Sequence, residues 1–504
     1  MKIKKISHTL LLLTLTMTIV AACSVEKIDR YETLREAAPM FPDYAHITLP
    51  PNIAPLHFKL TTAYEALQIK WYAAKGEPII IQDDDTPRIP LEKWHRLLEE
   101  NKGDSLYLDI YAKQNGVWKR YPTIANYIAP EPIDAYLTYR LIEPGYRYWK
   151  EMGIYQRNLE NFDEKVIYRN NTPATHDGTM QCMNCHAFQN HRSNRFLFHL
   201  RTGEGGTLFY DQGRYFKRNL KTDATLSAAV YPAWHPTRNL VAFSTNKTTQ
   251  QFHTRDRQKV EVLDTYSDLI LYNVETNKLT PIFSTDSILE TFPAWSPDGK
   301  WLYYCAATNI GEHLDNPEQH EKELYAHYYD KLCYHLLRIP FDSVTETFGK
   351  IDTIVRIRQT QASIALPRPS PDGRYVMFTA SDYGTFPIWH QSSNLYVSDL
   401  ETNRMYALRK ANSNEADSYH SWSSDGRWFS FSSRRIDGQY TRTFIAYFNR
   451  KGEAEKAFLL PQSSPDDNNR LFKAYNLPEL TSEELKTDYK HWEKMSRQKA
   501  EPVE

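Results

Sequence analysis

Two thiols and an imidazole stand within five residues of one another in Met180-Gln181-Cys182-Met183-Asn184-Cys185-His186. Cys-x-x-Cys-His is the attachment pattern of a c-type haem. The spacing has a physical reason. On a short helix the two thiols lie one turn apart and reach the two vinyl groups of the porphyrin, while His186 lies under the iron as its proximal ligand. Three other chemistries use parts of the same set. Cys182 and Cys185 can close a local disulfide in an oxidising compartment. A zinc site would need more than His176 and His191 to complete it, and no second cysteine pair exists. A thioredoxin-like redox pair needs a βαβ setting that the flanking residues do not offer. The reading carried forward is haem c on Cys182, Cys185 and His186.

Such a haem has a second axial position. Met183 lies inside the attachment loop and cannot reach the opposite face, and Met180 is nearly as constrained. His199, in the strand-like Arg195-Phe196-Leu197-Phe198-His199-Leu200, is the preferred sixth ligand and would give bis-His iron of lower potential than methionine would. His191 is the nearer alternative; His176, Met152, His235 and His253 are more distant, and an open iron site is the other option. A free-standing cytochrome domain needs roughly 80 residues to wrap its haem. This segment is much shorter, so the haem would be walled by neighbouring units.

The remaining chemistry is sparse. Of five cysteines, Cys305 and Cys333 are left as buried thiols or a pair, and a large exported chain with so few is no disulfide scaffold. No Gly-x-Ser-x-Gly elbow, His-Glu-x-x-His or phosphate loop occurs. Asp83-Asp84-Asp85 reads as a solvated turn. Net charge is -1 over 504 residues, with no basic stripe, so nucleic acid is not an expected partner.

The first residues carry an address. Lys2, Lys4 and Lys5 precede the apolar run from Leu10 to Ala22, which is too short for a comfortable membrane span and suits a signal-peptide core. The run ends in Val20-Ala21-Ala22-Cys23, which resembles the bacterial lipobox. The resemblance implies cleavage before Cys23 and lipidation of that cysteine, so that acyl chains hold the protein at the cell envelope, facing the periplasm or at the outer membrane. Residues 1–22 are thus the expected signal peptide and 23–45 a lipidated tether.

The elements that must position the thiols are mostly strands. Aromatic residues make up 13% of the chain, with 34 tyrosines, a composition suited to pleated surfaces. Leu56-His57-Phe58-Lys59-Leu60, Leu67-Gln68-Ile69-Lys70-Trp71-Tyr72, Ile79-Ile80-Ile81 and Leu106-Tyr107-Leu108-Asp109-Ile110-Tyr111 alternate as strands do. A helix is expected from Leu91 to Asn101, with Leu91, Trp94, Leu97 and Leu98 on one face. Residues 46–132 therefore read as a small β-rich, sandwich-like domain, and 133–194 as a connector that carries the haem segment.

From about Phe196 the chain repeats itself. Tyr231-Pro232-Ala233-Trp234-His235-Pro236 matches Phe292-Pro293-Ala294-Trp295-Ser296-Pro297-Asp298-Gly299. Two further copies follow, Pro369-Ser370-Pro371-Asp372-Gly373 and Ser421-Trp422-Ser423-Ser424-Asp425-Gly426. Each precedes a strand, and Asp-Gly between strands marks a hairpin, because glycine accepts the positive φ of the turn. A strand-turn-strand unit recurring in this way is the signature of propeller blades. The phrase Ala294-Trp295-Ser296-Pro297-Asp298-Gly299-Lys300-Trp301-Leu302 resembles the repeat of TolB-like propellers. That resemblance implies four-stranded blades, about six in number, of which four are plain; the first copy lacks the Asp-Gly turn and the third lacks the tryptophan. The fold class expected is mainly β, with the propeller over 195–465 and a helical tail over 466–504. Residues Leu480 to Lys499 suggest that helix, with Thr481 as its N-cap.

The function expected on these grounds is periplasmic electron transfer by a monohaem lipoprotein, with the propeller as docking scaffold for an envelope or redox partner. The alternative is an envelope binding or assembly module in which the cysteines form a disulfide or the haem is only structural. An enzyme with an open haem site is the third reading.

Overall fold

The chain folds, in a computed structural model that describes residues 27–83, 86–143, 152–170, 182–201, 204–253, 258–310, 327–355 and 362–504, into two units. Cys23, His176 and Met180 lie outside the described residues, as do Asp84 and Asp85. None of the described helices is long and apolar enough to cross a membrane.

The first unit is the expected β-rich one. Its main sheet runs, in spatial order, Glu32–Thr33, Val117–Arg120, Ser105–Gln114, Ala66–Ala73 and Ile79–Asp83, with Ile124–Ile128 also paired to Ser105–Gln114. The predicted helix is present as Leu91–Glu100 and buries Trp94, Leu97 and Leu98. Trp94 meets Trp71 of the sheet edge-on at 5.2 Å, so this unit's core is sheet against helix. The exposed side of the helix carries its glutamates, as the 3.6-residue period requires.

The second unit is a six-bladed propeller, shown by its strand pairing. Blades 2 to 6 are antiparallel meanders that begin with Cys182–Gln189, Ala229–Trp234, Ile288–Trp295, Ser363–Pro369 and Asp417–Trp422. These first strands are innermost, and each touches the next around a closed ring. Blade 1 is assembled from both ends of the unit. Tyr136–Ile142, Gly153–Asn158 and Glu164–Arg169 form three strands, and Ala474–Thr481 pairs with Tyr136–Ile142 as the innermost fourth. This closure ties the two ends of the ring together, since a C-terminal strand completes the sheet of the N-terminal blade.

Two boundaries expected from sequence are corrected here. The supposed connector supplies three strands of blade 1 and the first strand of blade 2, so the propeller begins near Tyr136 rather than at 195. The supposed helical tail carries the closing strand of blade 1 before its helix, Tyr489–Ser496. It ends in Glu501–Pro502, which adds to blade 2 in parallel beside Arg214–Asn219. Blade 1 has no local repeat to be recognised by, because its innermost strand lies more than 300 residues from the other three in the chain.

The repeated Ser-x-Asp-Gly has a definite job. In blades 4 and 5, Ser296 and Ser370 donate to Asp298 and Asp372 (2.6 and 2.5 Å) and accept the N–H of Trp301 and Tyr375 (3.0 and 2.9 Å). Ser423, Asp425 and Trp428 repeat this in blade 6. Gly299, Gly373 and Gly426 follow with φ of 71°, 73° and 66°, which a side chain would resist. Tryptophans tie neighbouring blades together: Trp295 Nε1 donates to the Ala233 carbonyl and Trp422 Nε1 to that of Arg368 (3.1 and 3.0 Å).

Burial between blades also sets a pH dependence. Glu290, on the inner strand of blade 4, is 5% exposed and its Oε2 has no hydrogen-bond partner. Burial, followed by the nearby Asp268, pushes its carboxyl up to about 8. The unfolded chain ionises near pH 4.3 and the folded chain does not until about 8. The stabilising contribution is therefore full in acid and declines at ~1.4 kcal/mol per pH unit as pH rises through that window. Glu290→Gln removes this slope. Urea midpoints at pH 5, 6 and 7 should fall less steeply for the variant than for the natural chain; parallel lines would show that Glu290 is already ionised.

Candidate functional site

The inner strands build the hub, and each carries the same distortion. Opposite a single residue of the next strand stand two residues: Cys185-His186, Tyr231-Pro232, Phe292-Pro293, Leu366-Pro367, Tyr419-His420 and Leu477-Pro478. The first of each pair has positive φ, at 43°, 49°, 54°, 56°, 50° and 51° respectively. These are β-bulges, which re-aim side chains at the rim of a sheet. Proline suits the second position because a bulged residue leaves the ladder and need not donate an N–H. Cys185 and His186 thus occupy a slot that four of the other five blades fill with a hydrophobic residue and proline, and that blade 6 fills with Tyr419-His420.

This placement corrects the expected geometry of the Cys-x-x-Cys-His segment, which is an extended inner strand and not a short helix. At about 3.3 Å per residue a strand sets Cys182 and Cys185 roughly 10 Å apart, twice the separation a helical turn would give. The two thiols are free; the Cys182 sulfur accepts instead from Asn184 Nδ2 (3.8 Å). The His186 side chain has no exposed surface. Its ring is packed between Phe188 and Phe196, with centroids 6.5 and 6.4 Å away, and Glu479 Oε2 is 3.7 Å from its Nε2. Its ring nitrogens face the backbone of Thr138 and Leu477 without well-formed hydrogen bonds. Burial, reinforced by Arg140, drives the imidazole down to about 3, so it is neutral at ordinary pH. A neutral imidazole has the chemistry of an axial ligand, and this one borders the hub cavity, but its side chain has no exposed surface. As folded, these residues do not fit a covalently held haem. No group of three or more His, Cys, Asp or Glu suited to a metal ion occurs among the described residues.

The structure does not bring His199 to His186. His199 lies on the next strand of blade 2, opposite Asn184, buried, with its Nδ1 3.1 Å from Thr207 Oγ1. The other expected ligands are equally committed. His191 Nδ1 is 3.2 Å from the Leu480 carbonyl. His235 stands where the other blades have the turn serine, and its Nδ1 accepts from the N–H groups of Thr237 and Arg238 (3.3 and 3.0 Å). Met183 belongs to the core between blades 1 and 2. Cys305 is fully buried and Cys333 half-buried, and they are not joined; burial raises both thiols, so neither is a ready nucleophile.

What the hub does hold is a cavity of about 190 Å³. It is lined by the third residue of every bulge: Ala187, Ala233 and Ala294 from blades 2 to 4, then Arg368, Ser421 and Glu479 from blades 5, 6 and 1. Trp234, Trp295 and Trp422 extend its wall. Arg368 donates to the Pro367 carbonyl (3.1 Å) and, among the described residues, meets no carboxylate within ion-pairing distance. Glu479 accepts from the Phe188 N–H (3.1 Å), and burial pushes its carboxyl up to about 7. His420, the counterpart of His186 in blade 6, lines the cavity beside the backbone of Met377 and is driven down to about 3 by burial. Sequence reasoning passed over Arg368, His420 and Glu479 because each sits one or two residues from a repeat whose other copies are apolar. Aligning the six bulges, which only the register reveals, exposes them.

No family model and no curated protein matches the chain. Solved structures do resemble it. TolB from Acinetobacter baumannii is 12% identical over 75% of this chain and 79% of its own, with a TM-score of 0.42. A post-proline cleaving enzyme from Rickettsia typhi is 11% identical over 65% of this chain and 45% of its own (TM-score 0.34). The GH74 enzyme of Niastella koreensis is 11% identical over 64% of this chain and 55% of its own (TM-score 0.36). Likenesses this distant assign no activity, and the six blades stand on the strand pairing described above.

Proposed function

We propose that this chain is a binding module of the bacterial cell envelope, tethered through Cys23 and taking a small polar molecule into the hub of its propeller. The observation that carries the reading is the cavity ring, in which an arginine and a glutamate that form no contact ion pair with each other stand where blades 2 to 4 have alanine. Buried charge without a partner is costly, and a ligand that supplies the partner recovers that cost. The tether rests on the basic start, the apolar run and the Val20-Ala21-Ala22-Cys23 segment. A protein partner at the envelope fits this reading as well, with the hub ligand as its signal.

Electron transfer through haem c is the second reading. It is supported by the Cys182-x-x-Cys185-His186 pattern and by the neutral imidazole of His186, and it requires the inner strand of blade 2 to open. One preparation separates the two. The chain is produced with a c-type haem maturation system, then its intact mass and its dithionite-reduced visible spectrum are recorded. Thermal shifts follow with a panel of amino acids, monocarboxylates, primary amines and sugars. The expected result is polypeptide plus lipid, no reduced α-band, and stabilisation by one class of the panel that is lost on Ala294→Trp, which fills the hub. A haem mass with a sharp α-band would replace this reading by the second.

A further inference from the structure

The ring of six equivalent positions around the hub is split into halves. Blades 2, 3 and 4 present three methyl groups, from Ala187, Ala233 and Ala294. Blades 5, 6 and 1 present Arg368, Ser421 and Glu479 in sequence around the axis. A guanidinium and a carboxyl group thus flank a small neutral residue, all facing an apolar half that the tryptophans extend. Arg368 and Glu479 attract each other across the cavity, but no contact ion pair joins them, and the near neighbour of Glu479 is the neutral His186. Ser421 is occupied, since its Oγ donates to the Trp422 carbonyl and accepts the Leu480 N–H (both 3.3 Å). It therefore acts as a spacer between the guanidinium and the carboxyl group.

We propose that the hub cavity is a site for a free α-amino acid with an apolar side chain. A carboxylate and an ammonium on one carbon are the smallest organic arrangement that answers Arg368 and Glu479 together. The guanidinium is suited to a carboxylate because its planar fork donates two parallel hydrogen bonds. Glu479 is one-quarter exposed at its side chain, so it can be reached from the cavity. The third substituent of the α-carbon then points to the alanine and tryptophan half, where burial of apolar surface adds to affinity. The cavity, about 190 Å³, has room for a small molecule. A monocarboxylate would leave Glu479 unanswered, and an amine would leave Arg368 so.

This proposal rests on the hub being a binding site, and the test keeps the two apart. Titration calorimetry on the mature chain uses L-leucine, its deaminated analogue isocaproate and its decarboxylated analogue isoamylamine. L-Leucine is expected to bind, with each analogue at least tenfold weaker, a loss of about 1.4 kcal/mol or more. Arg368→Met and Glu479→Gln should each weaken L-leucine at least tenfold, with Arg368→Lys intermediate and all three variants melting as the natural chain does. Binding of isocaproate as tight as that of L-leucine would overturn the amino-acid assignment and leave a monocarboxylate site. No binding of L-leucine, or binding indifferent to Arg368→Met and Glu479→Gln, would also overturn it. In either event, stabilisation by another class that Ala294→Trp abolishes would keep the hub as a binding site, whereas silence across the whole panel would sink both.

Discussion

A chain ended at Lys473 will fail to fold its propeller. The deletion removes Ala474–Thr481, the innermost strand of blade 1, and with it the ladder to Tyr136–Ile142. It takes Leu477, Pro478 and Glu479 out of the hub and leaves the inner edges of blades 6 and 2 facing a gap. It also removes Leu485, Trp492 and Met495 from the core between blades 1 and 2, where all three are buried. Fully burying one large apolar side chain is worth about 1.5–3 kcal/mol. The loss of Tyr475, Leu480, Leu485, Trp492 and Met495 together therefore approaches the whole stability of a typical domain, about 5–15 kcal/mol. Near-ultraviolet circular dichroism and limited proteolysis read the outcome. A chain ended at Thr481, which keeps the closing strand but not the tail, is expected to fold and to melt at a lower temperature. If the shorter chain melted cooperatively at the natural temperature, the closure described here would be wrong.

Trp492→Ala tests the tail separately and should destabilise the chain by about 3–5 kcal/mol. Trp492 has no exposed surface and its ring centroid is 4.8 Å from Tyr215, 5.1 Å from Phe198 and 6.1 Å from Phe196. Truncation leaves a cavity among rings that cannot close it, held open by the sheet of blade 2. The helix that carries the tryptophan is fastened at both ends. Asp488 accepts the Lys490 N–H at its start (3.0 Å). The buried Lys217 donates to the carbonyls of Ser496 and Gln498 at its end (3.1 and 2.7 Å), where a cation also suits the helix dipole. The helix therefore cannot shift to fill the space. A fall in stability of less than about 1 kcal/mol would mean that the tail is not docked in solution.

Blades 3 to 6 were legible because their signal is local. Asp298-Gly299, Asp372-Gly373 and Asp425-Gly426 lie in turns whose backbone angle selects glycine, and the strands on either side alternate as paired strands must. The helix at Leu91 was legible for the same reason, from the spacing of Trp94, Leu97 and Leu98. Blade 2 was half hidden, since Asn190 and His191 make its first turn with positive φ (49° and 59°) in place of Asp-Gly. The Cys182 to His186 segment was misjudged in conformation. A five-residue pattern is silent about whether the chain through it is helical or extended, and pairing with Arg192–Arg201 decided for a strand.

The sequence by itself determined that the chain is mainly β, that its second part repeats, and where the repeat turns fall. Those properties depend on residues a few positions apart and on backbone angles that only certain side chains accept. The rest came from contacts across the fold: that the ring closes through Ala474–Thr481, that the His186 side chain is buried beside the hub, and that Arg368 and Glu479 face one cavity. Each of these is a meeting of residues distant in the chain, set by strand register and by the order of blades around an axis, and neither quantity is written in any local stretch of residues.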